Sequence, residues 1–307
     1  MLLLLPQASL AGIPEGIQFL KSQIQQEGSY VSGLDIATPY QSTAEVLDTF
    51  HIVNNSQQPS SDLSLQFLQN EPYQGTEYLS RLIIAKAGLG QIDINSIKQL
   101  KGYQNQDGGF GAFSGYNSTV LDTLFAAQAF AITEKSSTKA AGFAISYLQA
   151  NQNQAGYFAL HDNEASVYIT ALAAQTFSAY RYIYAVSDNI FRANNYLLTH
   201  ISANGASDEL FETAAMLSSL VPVTADTIIY QPLVDHLLAT QQSNGAWLDD
   251  VFTTAIIIKA LHTQKTAAPL PGLAVLYGAV KEEGTNNPLN NVNVTVITSD
   301  GQVYSTK

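Results

Sequence analysis

The chain has 307 residues, 46% of them hydrophobic and only 12% charged, with a net charge of −12 and no cysteine. There is ample material for a large core. Disulfides, thiolate zinc sites and cysteine nucleophiles are excluded, and an acidic surface of this kind repels phosphate backbones and anionic membranes, so nucleic-acid binding is not expected. Asn, Gln, Ser and Thr supply much of the polarity, a composition common on extracellular surfaces.

The N-terminus runs from Met1 through four leucines to small residues at Ala8, Ser9 and Ala11. It reads as the tail of a secretory signal whose basic start is missing, or as a frayed apolar terminus; the cleavage-like ending favours the signal. No apolar run approaches the length of a transmembrane helix.

From there the chain repeats. Leu20, Leu68, Leu100, Leu148, Leu197 and Leu237 each end a short amphipathic segment. Eight residues on stand Gly28, Thr76, Gly108, Gly156, Gly205 and Gly245, and ten residues on Tyr30, Tyr78, Phe110, Phe158, Ser207 and Trp247. A second register places Thr49, Arg81, Thr123, Thr170, Thr213 and Thr254 early in mostly apolar segments. Each unit is a helix–turn–helix pair. The first helix has a polar face and belongs outside. The glycine permits the left-handed turn that ends it. The aromatic packs between neighbours, and the second helix, apolar nearly all round, must be buried. Ser42, Ser118, Ser166, Ser207 and Asp250 are the expected N-caps, which puts the inner helices near residues 42, 76, 118, 166, 208 and 250. One unit cannot bury its apolar helix alone, whereas six in a circle can. The first and last units keep the full pattern, so no polar capping unit is visible and a closed ring is preferred to an open solenoid. The fold expected is mainly α, an α/α toroid over residues 12–268.

Gln104-Asn105-Gln106-Asp107-Gly108-Gly109-Phe110 and Gln241-Gln242-Ser243-Asn244-Gly245-Ala246-Trp247 resemble the Gln…Gly…Trp repeats of the terpenoid-cyclase and protein-prenyltransferase toroids, and Asp250-Val251-Phe252-Thr253-Thr254-Ala255 is similar to that superfamily's inner-helix start. The resemblance covers roughly residues 13–265. It implies fold more strongly than function. Members that depend on a zinc-ligand or thioester cysteine are ruled out by composition. Triterpene cyclases of this group protonate an alkene with an Asp-x-Asp-Asp-Thr-Ala motif, a reaction that needs a carboxylic acid held neutral. Aligning Thr254-Ala255 with that motif puts Phe252 and Thr253 where its last two aspartates belong, and Leu121-Asp122-Thr123 keeps only the last.

After a linker at residues 269–272 the helical period stops. Leu273 to Val280 and Val292 to Ile297 alternate as strands, with Asp300-Gly301 as a turn. This stretch resembles the opening of a carboxypeptidase-regulatory-like β-sandwich, truncated at residue 307. That implies a longer, multidomain, bacterial-type surface protein with further C-terminal β-domains. The other reading is a terminal hairpin on the toroid.

Chemistry-bearing residues are sparse. Asp48, Asp122 and Glu212 occupy one apparent position at the starts of inner helices, with Tyr168, Phe211 and Phe252 nearby. They are either an acidic and aromatic rim that binds a ligand or first-turn acids that offset helix dipoles. Asp249-Asp250 reads as a cap rather than a metal site. The histidines share no ligand spacing, and His161-Asp162 is the one pair worth testing as acid and base. No catalytic residue, metal or cofactor is expected. The favoured function is a secreted or cell-surface toroid that binds a protein, peptide or small molecule, cationic or amphipathic. The alternative is an enzyme with a toroid pocket, a terpene-cyclase relative or a polysaccharide lyase.

Overall fold

A computed structural model describes residues 12–53, 61–72, 75–133, 138–160, 164–202, 207, 209–224, 226–266, 292, 294–297 and 303–306. The chain divides into two units, residues 1–273 and 274–307. The described part of the first unit holds twelve α-helices: α1 (Ile13–Ser22), α2 (Pro39–Ile52), α3 (Ser61–Asn70), α4 (Thr76–Gly88), α5 (Ile94–Lys101), α6 (Val120–Thr133), α7 (Lys139–Ala150), α8 (Val167–Tyr180), α9 (Ser187–Leu198), α10 (Leu210–Leu220), α11 (Gln231–Ala239) and α12 (Val251–Thr266). A two-residue antiparallel pair, β1 (Phe158–Ala159) with β2 (Ala165–Ser166), precedes α8.

The even-numbered helices form the inner ring. Their sequences are mostly apolar: Val251 through Ile258 of α12 are all buried. The odd-numbered helices bury one stripe, as α1 does with Ile13, Gly16, Phe19 and Leu20. Each inner helix packs on the next, α2 on α4 and so on to α10 on α12, and α12 packs back on α2. The ring is closed.

The turns explain closure residue by residue. Gly28, Gly108, Gly156 and Gly245 have φ between 88° and 97°, a left-handed conformation that L side chains resist. Each also lies against the outer helix of the following unit. A Cβ on Gly28 would stand 2.6 Å from the Leu63 carbonyl oxygen and one on Gly108 2.6 Å from that of Phe143, while Gly156 meets Arg192 and Gly245 meets Glu15. The last turn thus uses the first outer helix as its neighbour. The side-chain amide of Gln104 bridges the carbonyls of Gly108 and Ala140, that of Gln152 those of Gly156 and Asn189, and that of Gln241 those of Gly245 and Gly12. Asp35 and Asp250 add a reciprocal clasp: Asp250 accepts from the Ile36 N–H and Asp35 from the Val251 N–H.

The aromatic and threonine columns meet as one device. The N–H groups of Phe110, Phe158 and Trp247 donate to the hydroxyls of Thr123, Thr170 and Thr254 at 2.9–3.0 Å. The Ser207 N–H donates to Thr213 in the same way. In the first unit the partner of Tyr30 is Thr43, not Thr49, which lies six residues deeper and donates to the Ala255 carbonyl. The second unit departs from the repeat. Thr76 and Tyr78 are already helical there, so neither is a turn residue, and Arg81 does not stand in for the threonine. Gly205 lies outside the described residues.

Three caps also differ from expectation. α2 is capped by Thr38 in a reciprocal box with Gln41, because Pro39 fixes the first helical turn and leaves Ser42 inside. The α6 cap is Thr119, whose hydroxyl accepts from the Asp122 N–H, while Ser118 donates to Asp107. Glu209 stands at the N-cap of α10 without a side-chain bond, and Ser207 donates to Glu212. Ser166 and Asp250 cap as expected, accepting from the Ile169 and Thr253 N–H groups.

In the second unit β3 (Val294–Ile297) pairs antiparallel with β4 (Val303–Thr306), Val294 opposite Thr306 and Ile297 opposite Val303. Residues 1–11, the linker, the strand expected over 273–280 and the Asp300-Gly301 turn lie outside the described residues.

Candidate functional site

The inner helices run in one direction, since their partners sit at matching depth: Arg81 with Glu45, Gln128 with Thr176, Tyr168 with Phe211, and Lys259 with Asp48. Between them is a cavity of about 530 Å³ to which every inner helix contributes, among others Asp48, Ile84, Phe125, Leu172, Ala215 and Ile256. Its volume is that of an ordinary small-molecule site, roughly 300–1,000 Å³. The exposed Ile52 and Ile132 mark its rim at the C-terminal ends of the helices.

At the deep end the apolar walls give way to a ladder of charges. Glu77 accepts from the Arg81 Nε at 2.9 Å and Glu45 from the Arg81 Nη1 at 3.0 Å. Glu45 also pairs with Lys259, and Lys259 reaches Asp48 at 2.8 Å. The Arg81 guanidinium lies 4.6 Å from the Phe125 ring centre and 5.7 Å from that of Phe252. Charges this deep persist only when paired. Burial pushes the Glu45 carboxyl up, but Lys259 and Arg81 outweigh it and hold it below the ordinary range. Burial pulls Lys259 down, and Asp48 and Glu45 outweigh that too, so its ammonium is held above the usual value. Within the cavity lining the ladder sets Glu45 and Asp48 against Arg81 and Lys259. Beside it, burial pushes the Tyr168 phenol up to about 12 against the opposing pull of Arg81. Tyr168 is thus a neutral donor, and its ring stands edge-on to Phe211 at 5.3 Å.

The six residues expected at one rim are divided by the structure. Asp48 and Tyr168 line the cavity. Phe252 and Phe211 back its floor, against Arg81 and Tyr168. Asp122 faces a separate recess beside Glu77, and Glu212 is engaged by Ser207. Asp48 does not share the register of Asp122 and Glu212. Those two immediately precede Thr123 and Thr213, whereas Asp48 lies five residues after the equivalent Thr43. Six residues of helix amount to about 9 Å of depth. Asp249 accepts from the side-chain amides of Gln242 and Asn244, and Asp250 from the backbone N–H groups of Ile36 and Thr253. His161-Asp162 lies outside the described residues.

Sequence reasoning missed Glu45, Lys259 and the role of Arg81. The signal was present: each is a lone charge within an apolar inner-helix run, Thr43-Ala44-Glu45-Val46-Leu47, Ser80-Arg81-Leu82-Ile83 and Ile257-Ile258-Lys259-Ala260-Leu261, in a chain where charge is scarce.

No protein-family model matches the sequence, and no curated protein matches it. Solved structures share the fold. The type II terpene cyclase MstE from Scytonema, in its apo form, superposes with a TM-score of 0.66 at 17% identity, over 83% of this chain and 97% of that one. A protein from Actinoplanes gives 0.67 at 15% identity, over 83% and 99%. The ent-copalyl diphosphate synthase from Streptomyces platensis gives 0.59 at 16%, over 74% of this chain and 51% of that one. The likeness establishes a terpene-cyclase-like α/α toroid.

Proposed function

We propose that the toroid is a ligand-binding domain whose central cavity takes an amphipathic small molecule. The observation that carries this reading is the cavity's division into apolar walls and a paired, hydrogen-bonding floor. An apolar body fits against Ile84, Phe125, Leu172 and Ile256, and a polar head fits against Tyr168 and the ladder. The hairpin β3–β4 is in keeping with the opening of a β-sandwich module.

The fold shared with terpene cyclases supports a second reading, an enzyme acting on an apolar substrate in the same cavity. Proton-initiated cyclisation needs a neutral carboxylic acid facing that substrate. Glu45 is held ionised. The carboxyls held above their ordinary range by burial, Asp122 and Asp250, are not in the cavity lining. Among the described residues the cavity lining therefore offers no neutral carboxyl for proton-initiated cyclisation, and the enzyme reading rests on the shared fold.

The test is titration with the uncharged fluorophore N-phenyl-1-naphthylamine. Wild type should enhance its emission saturably, and Ala131→Trp, which extends an indole into the cavity, should abolish that enhancement with unchanged melting. Equal binding by both proteins would place the probe elsewhere and overturn the reading.

A further inference from the structure

The opposite mouth, where the inner helices start, holds a second recess of about 300 Å³. Its walls are Gly75, Glu77 and Tyr78 at the start of α4, Ala112 and Phe113 in the loop before α6, and Asp122 in the first turn of α6. The loop is pinned in place. The Thr76 N–H donates to the Ala112 carbonyl at 2.8 Å and the Thr76 hydroxyl to that of Gly111 at 2.5 Å. Gly75 makes this approach feasible, since a Cβ there would stand 2.8 Å from the Ala112 oxygen. The aromatic walls are fixed as well. Tyr78 stacks on Tyr40 at 4.1 Å with its hydroxyl 3.0 Å from that of Thr38, and Phe113, 41% exposed, meets Tyr116 edge-on at 5.6 Å. The recess is thus formed before any ligand arrives, which lowers the ordering cost of binding.

Its polar groups have unused capacity of one sign. Glu77 accepts from Gln41 and Arg81 through Oε1, and Asp122 accepts from the Thr119 hydroxyl through Oδ2. No described residue donates to Glu77 Oε2 or Asp122 Oδ1. Burial holds the Asp122 carboxyl above its ordinary range against the Thr119 hydrogen bond, and the charge on Glu77 adds to that rise. A positive charge between the two acids would relieve both the burial and the repulsion. Aromatic rings attract the same charge through their quadrupoles. First-turn acids do offset helix ends, but that role needs neither the aromatic walls nor the pinned loop.

We propose that this recess is a binding site for an organic cation, an alkylammonium head of the trimethylammonium type, seated between Tyr78, Phe113, Glu77 and Asp122. Its lining residues are separate from those of the central cavity, and the Glu77–Arg81 pair lies between the two.

The test is calorimetric titration of the full chain with choline and with its uncharged isostere, in which carbon replaces the ammonium nitrogen. Choline should bind at least about tenfold more tightly than the isostere, the size of a partly desolvated cation–π and carboxylate contribution. Phe113→Ala and Asp122→Asn should each weaken choline about fivefold or more. Phe113 is half exposed, so its truncation leaves the fold intact and decides the matter even if Asp122→Asn disturbs the start of α6. Absence of choline binding, equal binding of the isostere, or an unchanged affinity in Phe113→Ala would each overturn the proposal.

Discussion

Lys259→Met keeps the aliphatic stem and removes the ammonium that bridges Glu45 and Asp48. Asp48 then has no cation in hydrogen-bonding range among the described residues, and Glu45 retains Arg81 alone. Removing one member of a buried pair costs about 3–5 kcal/mol. Glu45 keeps a partner, and Asp48 and Lys259 retain about a fifth of their side-chain exposure, so the cost falls below that range, to about 2–3 kcal/mol. For a unit of this size each kcal/mol lowers Tm by about 2–4 °C, so the expected fall at pH 7 is about 5–10 °C. The loss should depend on pH with a definite sign. In wild type the folded-state pKa of Glu45 lies below its unfolded value, so its pairing stabilises above that value and is lost as pH falls. Without Lys259 the burial that opposes ionisation of Glu45 is offset by Arg81 alone, so its carboxyl rises, folding takes up protons and the variant's deficit shrinks as pH falls from 7 toward 5. Adding Asp48→Asn should restore part of the loss. Scanning calorimetry at both pH values checks this. A Tm within 1–2 °C of wild type at pH 7, with no narrowing on acidification, would refute a buried, mutually dependent ladder, because about 2 kcal/mol cannot hide in so small a shift.

Gly245→Val and Gly108→Val should each destabilise by more than about 2 kcal/mol, combining positive-φ strain with a collision against the next unit's backbone; unchanged denaturant midpoints would count against the repeat geometry. Thr254→Val leaves the buried Trp247 N–H without its acceptor and should cost about 1–3 kcal/mol, read from the same midpoints. Lys86 holds the Asp93 carboxyl at about 2, against an ordinary 3.8; the resulting stabilisation is present above 3.8 and lost as pH falls through about 2. Lys86→Met should flatten the acid limb of the stability profile in that window, and an unchanged limb would show that the pair contributes nothing.

The ring was legible in sequence because its determinants are residue-specific. A turn at φ near 90° beside a neighbour's backbone admits little but glycine, and a buried aromatic two residues on cannot be replaced by a polar surface residue at no cost. The threonine register was harder to read. Thr43 and Thr49 both precede apolar residues in one helix, and only the hydrogen bond from the Tyr30 N–H distinguishes them. That six-residue slip carried Asp48 to the rim on paper, whereas it lies at the depth of Lys259. The ladder itself could not be assembled from sequence, because Glu45, Arg81 and Lys259 meet only through parallel packing of three helices and closure of the first unit on the last. Their isolation in apolar runs marked them as unusual without revealing their partners.

The claim that the central cavity is the ligand site is tested most directly by diffraction from crystals grown with an ω-brominated long-chain alcohol, an amphipathic molecule whose body can be located by anomalous scattering. The account predicts a bromine peak enclosed by the inner helices, among Phe125, Leu172 and Ile256, with the hydroxyl toward Tyr168. A peak confined to the outer surface, with the cavity holding only ordered water, would contradict it.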